Sequence, residues 1–107
     1  MKFEVNVDHE NRERVCIHVI GDVNVQTSPL LREAMNSCFS DQVRSVQVVL
    51  NEVARMDSSG IATLVEGLQW SRLSNRRFVI SGLTEAVRDL FVLSKLENEF
   101  EIVEATE

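Results

Sequence analysis

The sequence predicts an α/β fold: a mixed β-sheet with amphipathic helices packed on one face, in the order ββαβαβαβ. Two short apolar or alternating runs near the N-terminus, separated only by a polar loop, predict an antiparallel hairpin. Beyond them, strand-like runs alternate with segments of helical periodicity, which calls for parallel strands joined by right-handed crossovers. Those periodic segments are apolar on one side only, so a single face of the sheet is enough to cover them.

Phe3, Val5 and Val7 alternate with Glu4 and Asn6, the period-2 pattern of a half-buried strand. Asp8 to Glu13 is a polar loop, and Val15 to Ile20 (VCIHVI) is a strand apolar on nearly both faces, as expected inside a sheet. Ser28 followed by Pro29 predicts a helix start, with the Ser capping free amides and the Pro losing no hydrogen bond. Leu30, Leu31, Ala34, Met35 and Cys38 then repeat at helical spacing up to Phe39. Val46 to Leu50 (VQVVL) is the third strand. Ile61, Leu64, Val65 and Leu68 form one face of a second helix that begins near Ser58. Arg77 to Ser81 (RFVIS) is a fourth strand ended by Gly82. Thr84 is placed to cap a third helix carrying Val87, Leu90, Phe91 and Ser94 on one side. Phe100 and Ile102 predict a short last strand before an acidic tail, Glu104 to Glu107. With no Pro- or Gly-rich linker and no internal repeat, residues 1–107 read as one unit.

Composition narrows the chemistry. The chain has 107 residues, 44% of them hydrophobic, which supports one core without staples. Two His and two Cys exclude a cage of several His and Cys around a metal. Cys16 in an apolar run and Cys38 on a helical pattern read as small buried hydrophobes, not as a disulfide. Seventeen acidic and eleven basic residues leave a formal charge of −6, with the basic residues scattered apart from Arg76 and Arg77. That disfavours nucleic acid and favours a basic or amphoteric protein surface as partner. The first residues, MKFEV, lack the apolar stretch of a signal peptide, and no run approaches the ~20 residues needed to span a bilayer. A soluble, cytoplasmic protein is expected.

The most distinctive stretch is Met56-Asp57-Ser58-Ser59-Gly60-Ile61, between the third strand and the second helix. Loops at the carboxyl ends of parallel strands are where ligands and partners dock in α/β sheets. Asp57 or Ser58 capping the helix, with Gly60 allowing close approach of a neighbour, accounts for part of the run. It holds more capping groups than one helix needs, however. A Ser nucleophile does not fit: the position two before Ser59 is Asp57 where a hydrolase elbow has Gly, and the only candidate bases are His9 in a polar loop and His18 within a strand. A phosphate-binding loop does not fit either, because Gly21, Gly60, Gly67 and Gly82 form neither GxGxxG nor a P-loop. A modified Ser does fit. Phosphate adds about −1.5 to −2 charge, and a helix N-terminus favours such charge by ~0.3–1 kcal/mol.

These residues, MDSSG at 56–60 with IATL at 61–64, Gly21 and Asp22 ending the second strand, Gly82 to Thr84, VRDLFVLSKL at 87–96 and the ββαβαβαβ order, resemble the STAS domain of bacterial anti-sigma factor antagonists. The resemblance covers essentially the whole chain and implies a STAS-type fold acting as a binding module, not an enzyme, with no cofactor. It implies a partner-switching role. The unphosphorylated protein binds an anti-sigma factor that is also a serine kinase, phosphorylation breaks the complex, and a phosphatase restores it. By the same resemblance Ser58 is the phosphoacceptor. The partner surface is Gly21, Asp22, Val23 and Asn24 together with Asp57, Ser58, Ser59, Gly60 and Ile61. Antagonists of the best-known type often carry Asp where this chain has Asn24. STAS domains also serve as cytoplasmic subunits of phospholipid-trafficking ABC transporters, binding the ATPase subunit. The segment from Ser58 to Gln69 is compatible with that role, for which Trp70 and Leu73 are the docking candidates, although ordinary core packing is the expectation for Leu73.

Overall fold

Alternating apolar residues in successive strands place one continuous layer of side chains beneath three helices. The computed structural model describes residues 2–39 and 42–104. The strands are β1 (Glu4–His9), β2 (Arg14–Ile20), β3 (Ser45–Glu52), β4 (Arg77–Ser81) and β5 (Glu101–Val103). The helices are α1 (Ser28–Cys38), α2 (Ser58–Ser74) and α3 (Glu85–Leu93), and the chain order is the expected ββαβαβαβ. The five strands lie side by side in chain order, β1 antiparallel to β2 and every later pair parallel. Of the expected acidic tail, only Glu104 lies within the described residues.

On the covered face, Val15, Ile17 and Val19 of β2 stand beside Val46, Val48 and Leu50 of β3 and Phe78 and Ile80 of β4, all buried. Leu31, Met35 and Cys38 of α1, Leu64 and Leu68 of α2, and Val87 and Phe91 of α3 close this layer into one core. Gly67 lets α2 lie flat on it: a Cβ there would sit 2.6 Å from the Phe78 ring and 3.0 Å from Met35 Cε. The other face of the sheet carries Cys16, His18, Gln47 and Ser81, where Gln47 Nε2 donates to Ser81 Oγ at 2.9 Å. Both cysteines are buried and free, and burial pushes each thiol above its ordinary pKa.

Four local expectations are corrected. Ser28 is the first residue of α1, and its cap position falls to Thr27, because Asn24 and Thr27 supply the turn that starts the helix. Leu30 is 51% exposed, since the core stripe of α1 runs through Leu31, Met35 and Cys38 and leaves Leu30 on its flank. Thr84 holds the cap position of α3, but its hydroxyl donates to the carbonyl of Val53 at 2.9 Å and not to the helix amides. Leu73, expected in the core, is 91% exposed: α2 faces the sheet through Ile61, Leu64, Leu68 and Ser71, and Leu73 lies about 200° around the helix from Ser71.

Candidate functional site

The site forms where the chain leaves β2 and β3, at the carboxyl ends of two neighbouring parallel strands. Gly21 ends β2 with φ 105°, and its N–H donates to the carbonyl of Glu52 at 3.0 Å. Only glycine fits here, because a Cβ would meet the Lys2 carbonyl oxygen at 2.6 Å as well as adopting a disfavoured backbone. The two loops are then stitched together by one residue. Val23 N–H donates to Arg55 O and Asp57 N–H donates to Val23 O, each at 3.0 Å, an isolated parallel bridge between Val23 and Met56.

Beneath that bridge the packing is close. Val23 is buried, and a Cβ on Gly60 would stand 2.5 Å from Met56 Cγ and 2.9 Å from Val23 Cγ1. Gly60 thus lets the first turn of α2 seat directly on the loop that follows β2. Gly60 and Ile61 are both buried, as is Val23, so these three shape and support the surface. Asp22, Asn24, Asp57, Ser58 and Ser59 are the predicted site residues that reach it, Ser58 and Asp57 being exposed and the others half-buried.

The loop after β2 is held by its own polar side chains. Asn24 Oδ1 accepts from the N–H groups of Gln26 at 2.9 Å and Thr27 at 3.1 Å, while the Thr27 hydroxyl donates to Asp22 O at 2.8 Å and accepts from Asn24 N–H at 2.9 Å. An amide oxygen meets these donors as a carboxylate oxygen does, so Asn24 builds the turn without adding charge. The turn presents Val25 at its tip, 71% exposed. Lys2, Phe3, Asp22, Asn24, Gln26 and Thr27 line a shallow polar depression of about 250 Å³ beside it.

At the start of α2, the two serines are not equivalent. Asp57 is the cap, in extended conformation, and its Oδ1 accepts from Ser59 N–H at 2.9 Å and from the Ser59 hydroxyl. Hydrogen bonding from that hydroxyl, reinforced by backbone N–H groups at the helix start, holds the Asp57 carboxyl below its ordinary pKa. The Ser58 hydroxyl makes no hydrogen bond among the described residues and points from an exposed position. Thr63 Oγ1 donates to Ser59 O at 2.9 Å, and Arg32, paired with Glu66 at 2.9 Å, ties this side of α2 to α1.

Neither histidine joins the serines. His9 ends β1 opposite Val15, at the far end of the sheet, and His18 lies on the face away from the helices. Sequence reasoning missed Thr27, Val25 and Arg55. The Asn24-x-x-Thr27 spacing was the readable signal for the first two, since both residue types bond their own backbone at this separation. Trp70 is committed elsewhere, stacked on Phe39 with ring centroids 4.0 Å apart, whereas Leu73 stands free on the surface.

Comparison with known proteins agrees with this architecture. Residues 4–107 match the family model of the STAS domain. The chain is 29% identical over 106 residues to an anti-sigma-B factor antagonist of Staphylococcus aureus, covering 98% of both chains. It is 24% identical over 102 residues to the anti-sigma-B factor antagonist of Listeria monocytogenes, covering 95% of this chain and 90% of the relative. Among solved structures, the anti-sigma factor antagonist SpoIIAA in its unphosphorylated form superposes with a TM-score of 0.84 at 21% identity, covering 97% of this chain and 90% of that one. Among the described residues no helix is long and apolar enough to cross a membrane. With a matched family model over nearly its full length and the mixed five-stranded sheet in place, the chain belongs to the STAS domain family.

Proposed function

We propose that the protein is an anti-sigma factor antagonist that works in the cytoplasm by partner switching. It binds an anti-sigma factor with serine kinase activity through the β2 and β3 exit loops and is released when Ser58 is phosphorylated. One observation carries the reading: Ser58 alone of the two serines presents an exposed, unengaged hydroxyl at the N-terminus of α2, while Ser59 is bound to Asp57. The similarity to relatives named anti-sigma-B factor antagonists supports it, as does the likeness in fold to SpoIIAA, which is known in unphosphorylated and phosphorylated forms.

In the transfer step the Ser58 oxygen bonds to the γ-phosphorus of ATP held by the kinase, the bond to the β-phosphate side breaks, the hydroxyl proton passes to a base on the kinase, and ADP leaves. The helix start tolerates the product, because free amides and the helix dipole favour negative charge there. The complex does not. A phosphate beside Asp57 and Asp22 has to be desolvated at the interface, and a buried charge left without its partner costs about 3–5 kcal/mol. At ~1.4 kcal/mol per factor of ten, that weakens binding at least a hundredfold without any large conformational change. A phosphatase then restores binding by removing the charge.

The test measures affinity for the cognate kinase by titration calorimetry with wild type, Ser58→Ala, Ser58→Glu and Ser59→Ala. Wild type, Ser58→Ala and Ser59→Ala are expected to bind alike and Ser58→Glu to lose binding. Incubation with ATP should place phosphate on wild type and Ser59→Ala only. Equal affinity of all four, or phosphate on Ser58→Ala, overturns the assignment.

A further inference from the structure

The cations of this chain are unevenly committed. Of eleven basic residues, Lys2, Arg32, Arg72, Arg77 and Arg88 pair with carboxylates, and Arg76 lies over the Trp70 ring and donates to Val43 O. Among the described residues, Arg12, Arg14, Arg44, Arg55 and Lys95 make neither an ion pair nor a side-chain hydrogen bond. Four of those five stand at the end of the sheet where the parallel strands begin: Arg12 and Arg14 at the β1–β2 turn, Arg44 just before β3, and Lys95 after α3. Arg55 stands at the other end, three residues before Ser58.

Its backbone fixes which way it faces. Arg55 O accepts from Val23 N–H, Met56 turns inward against Gly60 and Val23, and in this extended segment the side chains on either side of Met56 therefore project away from the core. Arg55 is exposed, and the Asp57 carboxylate is turned to Ser59 and the helix amides and leaves the guanidinium unpaired. Asp22, Glu52, Glu85 and Glu104 are the other acidic groups at this end, Lys2 being paired with Glu4 and Arg88 with Glu104, and none of the four forms an ion pair with Arg55 among the described residues. Three extended residues separate Cα atoms by at most ~11 Å, a span that an arginine and a phosphoserine side chain bridge between them.

We propose that Arg55 receives the phosphate once it is on Ser58, its guanidinium forming a bidentate pair with two phosphate oxygens of the same chain. Planar, permanently charged and with paired N–H donors, arginine is suited to that contact. The inference rests on Ser58 being the acceptor. It assigns Arg55 a positioning role in the released state, holding the phosphate against the helix start.

The test uses the full chain carrying phosphoserine incorporated at position 58 during translation, with wild type, Arg55→Gln and Arg12→Gln compared by phosphorus NMR titration at low salt. Because the pair is solvent-exposed, Arg55→Gln is expected to raise the proton affinity of the phosphate only about two- to fivefold. Arg12→Gln, with the same change in net charge at the far end, should leave it unchanged, and 1 M salt should erase the difference. Superimposed wild-type and Arg55→Gln curves, or an equal shift from Arg12→Gln, overturn the proposal. No kinase enters this experiment, so a failure of kinase-dependent modification refutes the proposed function and a failure here refutes only the role of Arg55.

Discussion

Gly60→Ala is the sharpest test of how the two site loops are joined. The added methyl carbon lands 2.5 Å from Met56 Cγ and 2.9 Å from Val23 Cγ1, well inside the ~3.5–4.0 Å of an ordinary carbon contact. Met56 can rotate, although the near atom is midway along its side chain. Val23 is buried and β-branched, so its side chain has little freedom to move aside. Overpacking of this kind costs about 1–3 kcal/mol, while replacing a helical Gly by Ala returns about 0.5–1 kcal/mol of backbone entropy. Both contacts fall under 3.0 Å, so the upper part of that range applies and a net loss of about 1–2 kcal/mol remains. At ~4–8 °C per kcal/mol for a domain of this size, Tm should fall by roughly 5–15 °C in a thermal melt followed by circular dichroism. A second arm isolates the contact: Met56→Ala in the Gly60→Ala background should recover part of the loss relative to the sum of the two single changes. A Gly60→Ala protein that melts within a degree of wild type, or a strictly additive double mutant, would falsify the close seating of α2 on Val23 and Met56.

Other consequences are as direct. Asn24→Ala removes the acceptor for Gln26 N–H and Thr27 N–H, so it should cost about 1–2 kcal/mol in urea unfolding and raise amide exchange at those two residues, with α3 unaffected. Asp57→Ala should cost about 1 kcal/mol at neutral pH as a lost cap. Because the folded Asp57 carboxyl titrates below its ordinary 3.8, its contribution is complete above that value and is lost as the pH falls through the folded value; the stability gap between wild type and Asp57→Ala should therefore narrow in acid, and a gap that widens would contradict the hydrogen bonding seen. Leu73→Glu should leave unfolding within about ±0.5 kcal/mol of wild type, whereas a loss of 2 kcal/mol or more would return Leu73 to the core.

Much of the molecule was readable in the order of its residues because the forces involved are local. VCIHVI at 15–20 is apolar at nearly every position and becomes the second strand of five, paired on both sides. A helix start at Ser58 follows from Asp57, whose carboxylate caps whatever helix begins there. The errors also have one kind of cause. Leu30 and Leu73 are leucines on helical repeats, and only the direction in which α1 and α2 roll onto the sheet decides which of several apolar positions is left outside. Ser28 and Thr84 are good capping residues whose expected roles passed to other groups: Asn24 and Thr27 build the α1 turn, and the Val53 carbonyl takes the Thr84 hydroxyl.

By itself the sequence determined the element order, the mixed sheet and the position of the MDSSG loop at the start of the second helix, since periodicity, turn residues and caps act over a few neighbouring residues. Only the tertiary structure decided that Val23 bridges to Met56 and brings two loops, more than thirty residues apart in the chain, into one surface. It showed that the Ser59 hydroxyl is taken by the Asp57 carboxylate while the Ser58 hydroxyl is not, which depends on where that single carboxylate points. It alone showed that Arg55 forms no ion pair among the described residues. Pairing between strands and the satisfaction of charges depend on distances through space, and no local pattern in the chain encodes them.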